Sequence, residues 1–201
     1  MPAAWILPRH PPASKPVSAP NDVSHYVIRP AHLPQDAPAI AAIDTSFASA
    51  QYWRVKHEGE SFRLELVDRP RFTKAFGVYD LNREVRDWQD GYVAEQEGRI
   101  CGFAAGGYQF WNRRYVLWHL YVAPECRRSG MGTALLLRIL EQARAKAAVS
   151  VWLETSNLNA PAIAWYRAHG FDFAGLDLAL YEGSGLGEEV GVYLMRPLGA
   201  L

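Results

Sequence analysis

The apolar residues change period several times along the chain, and each change marks an element. Tyr26-Val27-Ile28-Arg29 reads as a strand. Ala37, Ile40, Ala41, Ile43 and Phe47 then fall at helical spacing behind Asp36, a residue type suited to an N-cap, so a helix is predicted over 37–47. Ser61-Phe62-Arg63-Leu64-Glu65-Leu66-Val67 alternates like a strand, whereas residues 69–88 carry no clean period. Residues 91–96, 100–110 and 115–122 read as three strands divided by Glu97-Gly98 and Asn112-Arg113-Arg114 turns, which predicts an antiparallel meander. Met131, Leu135, Ile139, Ala143 and Ala147, joined by Leu136 and Leu140, draw one apolar stripe along a helix ending near Ala148. A short apolar strand follows at 149–155. Because a helix separates it from 115–122, the two strands should lie parallel in one sheet. A helix over 160–169, stopped by Gly170, and strands near 171–181 and 189–195 complete the order.

Composition narrows what such a fold could do. The 21 basic and 21 acidic side chains cancel, so no global field draws the chain to nucleic acid or an anionic membrane. No stretch reaches the ~18 consecutive apolar residues of a membrane helix, and Met1 to Leu7 lacks the basic flank of a signal peptide, so a cytoplasmic location is expected. Cys101 and Cys126 have neither metal-ligand nor disulfide-scaffold spacing and should be reduced thiols. The six histidines show no ligand spacing, and no metal is expected. Most of the 13 prolines precede residue 39, and residues 1–23 are expected to form a flexible tail ahead of a single domain over 24–201.

The candidate chemistry begins at Arg127-Arg128-Ser129-Gly130-Met131-Gly132-Thr133, between a strand's end and a helix's start. Two glycines let the main chain approach a ligand, and two arginines add charge where the helix dipole already favours an anion. The stretch reads as a phosphate cradle.

Leu120-Tyr121-Val122-Ala123-Pro124-Glu125 with Arg127-x-x-Gly130-x-Gly132 resembles the pyrophosphate motif of the GNAT superfamily, the Gcn5-related N-acetyltransferases. Asn159-x-x-Ala162-x-x-Trp165-Tyr166-x-x-x-Gly170-Phe171 is similar to its second cofactor motif, with Trp165 where an aliphatic residue is more usual. The resemblance runs in element order from about Tyr26 to Leu198. It implies an α/β (α+β) fold: a mixed, mostly antiparallel sheet of about seven strands, a central parallel pair splayed at the cofactor site, and about four flanking helices. It also implies acetyl-CoA as cosubstrate. Its pyrophosphate would lie on Arg127, Arg128 and the amides of Ser129, Gly130, Met131, Gly132 and Thr133. Its pantetheine arm would lie along Leu120, Tyr121 and Val122, with Asn159 and Tyr166 touching it from the following helix.

Acyl transfer to an amine makes two demands. An alkylamine with a pKa near ~10 must lose a proton before it attacks, and a thiolate whose acid has a pKa of roughly 8.5 must leave. Tyr166 is the candidate acid, with a core aromatic as the alternative. Glu154 is the candidate base, as the matching glutamate is in the ribosomal-protein alanine acetyltransferases, which Trp152-Leu153-Glu154 with Asn159 and Tyr166 resembles. A structural carboxylate paired with an arginine or His119, or a water chain serving as base, are the alternatives. Strand alternation sets His119 on the face opposite Trp118 and Leu120, as a core histidine. Tyr108, Trp111, Trp118, Arg113 and Arg114 could wall an acceptor pocket, and Glu58, Glu60 and Asp80 could hold a cationic acceptor.

The run Leu153 to Ala162 and the Gly175-Leu176-Asp177 segment look most like streptothricin acetyltransferases, implying a cationic small-molecule amine as acceptor. A polyamine acceptor, a protein N-terminal or lysine acetyltransferase, and a noncatalytic acyl-CoA sensor remain open, as does a homodimer. No nucleic acid or membrane partner is expected.

Overall fold

The computed structural model describes residues 26–182 and 189–199. The tail expected over 1–23 lies outside them. Along the chain run β1 (Tyr26–Pro30), α1 (Ala37–Ala41), β2 (Phe47–Glu58), β3 (Ser61–Lys74), β4 (Asp90–Gln96), β5 (Arg99–Gln109), β6 (Arg114–Val122), a 3-10 turn (Pro124–Cys126), α2 (Met131–Ala145), β7 (Ser150–Ser156), α3 (Ala160–Ala168), β8 (Asp172–Asp177) and β9 (Gly191–Pro197). Seven strands form one sheet in the order β1-β4-β5-β6-β7-β9-β8, and β2 with β3 forms a second. Every neighbouring pair is antiparallel except β6 and β7. This is the expected mixed sheet, with three α-helices and a 3-10 turn among the described residues in place of about four helices. None of these helices is long and apolar enough to cross a membrane.

Both sheet faces are covered. On one side Met131, Leu135, Leu136, Ile139, Leu140 and Ala143 of α2 bury their stripe against Ala94, Ala104, Tyr115 and Leu117, and Ile163 and Tyr166 of α3 join them. Gly102 makes that approach possible, because a Cβ there would sit 3.0 Å from Leu135 Cδ1. On the other side Ile40 and Ile43 pack with Leu81, Trp88, Val93, Phe103 and Ala105. The helix α2 stops at Ala145, short of the predicted Ala148, and Ala147 turns with φ 54°.

The helix predicted over 37–47 is only five residues long. Asp36 makes no side-chain cap; its carboxylate is drawn to Arg29 at 2.7 Å and to the His32 amide at 2.7 Å. Asp44 then accepts from the Ser46 amide at 2.8 Å and turns the chain, so Phe47 opens β2 and packs on Phe72 and Phe76. The strand read at 61–67 is the middle of a longer hairpin whose first arm, β2, carries no legible alternation. Likewise β8 ends at Asp177, not 181, where the Asp177 carboxylate accepts from the Ala179 amide at 3.0 Å.

Two irregularities shape the sheet's centre. The parallel ladder runs only from Arg114↔Ser150 to Leu117↔Leu153, although β6 continues to Val122 and β7 to Ser156. The β5–β6 register shifts between Ala105↔His119 and Gly106↔Leu117, which bulges Trp118 out of the ladder. Beyond Leu117 and Leu153 the two strands splay.

The hairpin β2–β3 is fastened beside this opening by Asn157. Its Nδ2 donates to Trp53 O at 2.9 Å and its Oδ1 accepts from Val190 N at 2.9 Å, while Trp53 N donates to Asn157 O at 3.0 Å. Truncating this buried amide leaves two backbone groups short of partners. Asn157→Ala is therefore expected to destabilise the fold by about 1–3 kcal/mol in urea unfolding; a loss under about 0.5 kcal/mol would show that the hairpin does not depend on it.

Candidate active site

The splay opens a cleft of about 970 Å³ that runs without interruption from the start of α2 to the loop after β8. Leu117, Trp118, Leu120, Tyr121 and Val122 line it from β6, Leu153, Glu154 and Thr155 from β7, and Asn159, Pro161, Ala162, Trp165 and Tyr166 from α3 and its N-terminus. Because β5 pairs with one edge of β6 only, the other edge of Leu120 to Val122 faces the cleft with its peptide groups unladdered.

At one end stands the predicted cradle. Gly130 caps α2 at φ +91°, a conformation that strains any residue with a Cβ, and Arg128 before it has φ 63°. The turn aims the first-turn amides of α2 and the positive end of its dipole at the cleft mouth. Ser129 Oγ donates to Cys126 O at 2.6 Å and holds the turn. Met131 buries its side chain in the core and can offer only its amide. The guanidinium of Arg127 donates to Val122 O at 2.9 Å and Ser46 O at 2.6 Å, which ties the end of β6 to the loop before β2. Arg128 is exposed at the rim. Gly130, Gly132, Thr133, Arg127 and Arg128 all border the cleft. First-turn amides, a helix dipole and two arginines suit a pyrophosphate without a metal.

Asn159 caps α3, its Oδ1 accepting from Ala162 N at 3.3 Å. About two helical turns further on, Tyr166 is buried between Trp165 and Phe171, with ring centroids 5.2 and 5.5 Å away. Burial pushes its phenol well above the usual range, so it stays protonated at neutral pH.

Glu154 sits on β7 just past the last parallel pair. Among the described residues neither an arginine nor His119 pairs with it; Tyr181 does, donating to Oε1 at 2.9 Å. Burial, with the like charges of Glu189 and Asp177, pushes its carboxyl up to about 7, against the opposing effects of Tyr181 and Lys74. His119 lies off the cleft as a core histidine, with Nε2 3.0 Å from Asp80 Oδ2 and its ring beside Phe103 and Trp88.

Several expected acceptor residues are elsewhere. Tyr108, Trp111, Arg113 and Arg114 cluster at the β5–β6 hairpin, at the end of β6 remote from the splay; Trp118 alone of that set borders the cleft. Asp80 is taken by His119 and by Trp88 Nε1 at 2.8 Å, and Glu58 and Glu60 are exposed at the β2–β3 tip. Cys126 is a thiol that burial and the adjacent Cys101 push up. In their place the cleft gains Thr45, Phe47, Phe76 and Tyr181. Phe47 had fallen at helical spacing and Tyr181 at a strand's end; only the hairpin's return across the sheet brings them together.

Residues 51–171 match the Acetyltransferase (GNAT) family. Streptothricin acetyltransferase of Streptomyces lavendulae is 37% identical over 183 residues, covering 87% of this chain and 96% of that protein. The crystal structure of nourseothricin acetyltransferase superposes with a TM-score of 0.78 at 39% identity, over 87% of this chain and 99% of the other. The fold is shared with a Bacillus anthracis acetyltransferase solved in complex with acetyl coenzyme A, with a TM-score of 0.72 at 24% identity over 86% and 99% of the two chains. The chain belongs to the Acetyltransferase (GNAT) family and is an acetyl-CoA-dependent N-acetyltransferase.

Proposed function

We propose that this enzyme acetylates an amine of a small cationic molecule of the streptothricin type, by direct attack of the amine on the thioester. The observation that carries the reading is the single cleft joining an anion cradle at α2 to a desolvated carboxylate beside aromatic walls. The named relative that spans nearly the whole chain supports the acceptor class. Tyr181, bound to Glu154, and Phe76, which meets the same Lys74 ammonium, stand at the carboxylate end, and aromatic faces with a carboxylate suit an ammonium.

In this reading Arg128, Arg127 and the amides of residues 129–133 hold the pyrophosphate of acetyl-CoA. The open edge of Leu120, Tyr121 and Val122 takes the pantetheine amides as an added strand would, with Asn159 alongside. Glu154 accepts a proton from the acceptor ammonium, the freed nitrogen forms a bond to the thioester carbon, and the carbon–sulfur bond breaks. Tyr166 gives its hydroxyl proton, or a hydrogen bond, to the departing sulfur, and the second proton shed by the nitrogen as the amide forms restores the phenol or goes to the thiolate, which leaves neutral amide and free thiol.

A thiol-release assay with acetyl-CoA is expected to show turnover of streptothricin or a polyamine and none of N-terminal peptides; the reverse preference would point to a protein acetyltransferase. A base must be ionised to act, so kcat/KM is expected to fall as pH drops through about 7. Glu154→Gln should lower kcat about a hundredfold or more and remove that acid limb; full activity in this variant would sink the assignment. Arg128→Ala is expected to raise the KM for acetyl-CoA about tenfold with kcat nearly unchanged, and an unchanged KM would remove it from the cradle.

A further inference from the structure

Lys74, the last residue of β3, reaches from the two-stranded sheet to the main one. Its ammonium pairs with Glu189, just ahead of β9, and the two side chains are 16% and 0% exposed. The same ammonium lies 4.9 Å from the Tyr181 ring centroid and 5.1 Å from that of Phe76. On its other side Tyr181 donates to Glu154 Oε1 at 2.9 Å. Glu189, Lys74, Tyr181 and Glu154 therefore form one chain of contacts that starts in the core and ends in the cleft.

Such a chain is a costly way to hold a hairpin in place. Burying an ion pair takes two charges out of water, and well-packed apolar side chains would serve stability as well. Its placement has a chemical consequence instead. A cation on the face of a phenol ring stabilises negative charge there and strengthens the hydroxyl as a donor. That hydroxyl is the one bound to Glu154. The remaining groups that face Glu154 are Asp177 of β8, Tyr193 of β9, whose hydroxyl donates to Asp177 at 3.3 Å, and Tyr121 of β6. The two tyrosines are neutral at pH 7, so among the described residues Lys74, Glu189 and Asp177 are the charges that act on the carboxyl.

We propose that Lys74 is a positioning residue for acetyl transfer: it holds the Tyr181 ring against Glu154, and its charge, balanced by Glu189, governs how readily Glu154 takes the acceptor's proton. This rests on Glu154 being the base.

The test compares pH profiles of kcat/KM for the wild type, Glu189→Gln, the double variant Lys74→Met/Glu189→Gln, and Glu154→Gln. Glu189→Gln leaves the ammonium unbalanced, so the acid limb should move down by roughly half a unit to one unit. Removing Lys74 as well should return the limb to near its wild-type position while kcat falls severalfold, because Tyr181 loses its backing. Neither change leaves a buried carboxylate unpaired. Lys74→Arg keeps the charge and should leave the limb where it is. An unmoved limb in Glu189→Gln, or a double variant whose limb stays displaced, would overturn the proposal. A limb that survives in Glu154→Gln would instead overturn the base itself, so the two failures are distinguishable.

Discussion

A parallel strand pair that stops pairing partway leaves peptide N–H and C=O groups facing one another across a gap, and each needs a partner from somewhere. Here β5 continues to satisfy the outer edge of β6 as far as Val122, and β9 satisfies β7 as far as Ser156. Only the inner edges past Leu117 and Leu153 are left open. The bulge at Trp118 turns β6 away at the same point, and Arg127 fixes the end of that strand by binding Val122 O. A ligand with amides of its own is the natural occupant of such a gap. The glycine turn before α2, Tyr166 and Glu154 are arranged around this opening because their elements are the ones that border it.

The opening also sets the electrostatics. One residue beyond the last parallel pair, Glu154 is half-buried, and among the described residues no cation is bound directly to it. The folded protein therefore holds its proton more tightly than the unfolded chain, with a carboxyl near 7 against an ordinary 4.5. Between those values the folded state binds more protons, so this residue's contribution to stability is full below about 4.5 and is lost as pH rises through 7. Asp36 behaves in the opposite sense. Its hydrogen bond to Arg29 lowers its carboxyl, so its contribution is present above the ordinary 3.8 and is lost on acidification. One carboxylate serves the fold and the other is held at the fold's expense.

What the sequence revealed follows from where each element's partners lie. The meander β4–β6, the stripe of α2 and the short β7 each bury a face against sequence-near neighbours, so their periods survive in the residues. Asn159 and Tyr166 were legible for the same reason, on a helix whose start and stop residues are local. The hairpin β2–β3 was hidden because it is half exposed and anchored by distant groups, Asn157 and Glu189, that no local period records. Phe47 matched a helix because the turn at Asp44 and Ser46, which redirects the chain after α1 has ended at Ala41, carries no hydrophobic signal. Tyr181 and Lys74 gain their meaning only from Glu154, reached across the fold.

The most direct test of this account is the ionisation of Glu154 in the enzyme without substrates. Carboxyl carbons labelled with 13C on glutamate can be followed by NMR across pH, and comparison with a Glu154→Gln spectrum assigns the resonance. Titration near 7, well above the ordinary 4.5, is expected. Titration at the ordinary value would show a solvated carboxylate and contradict the claim that the splayed strands create a base.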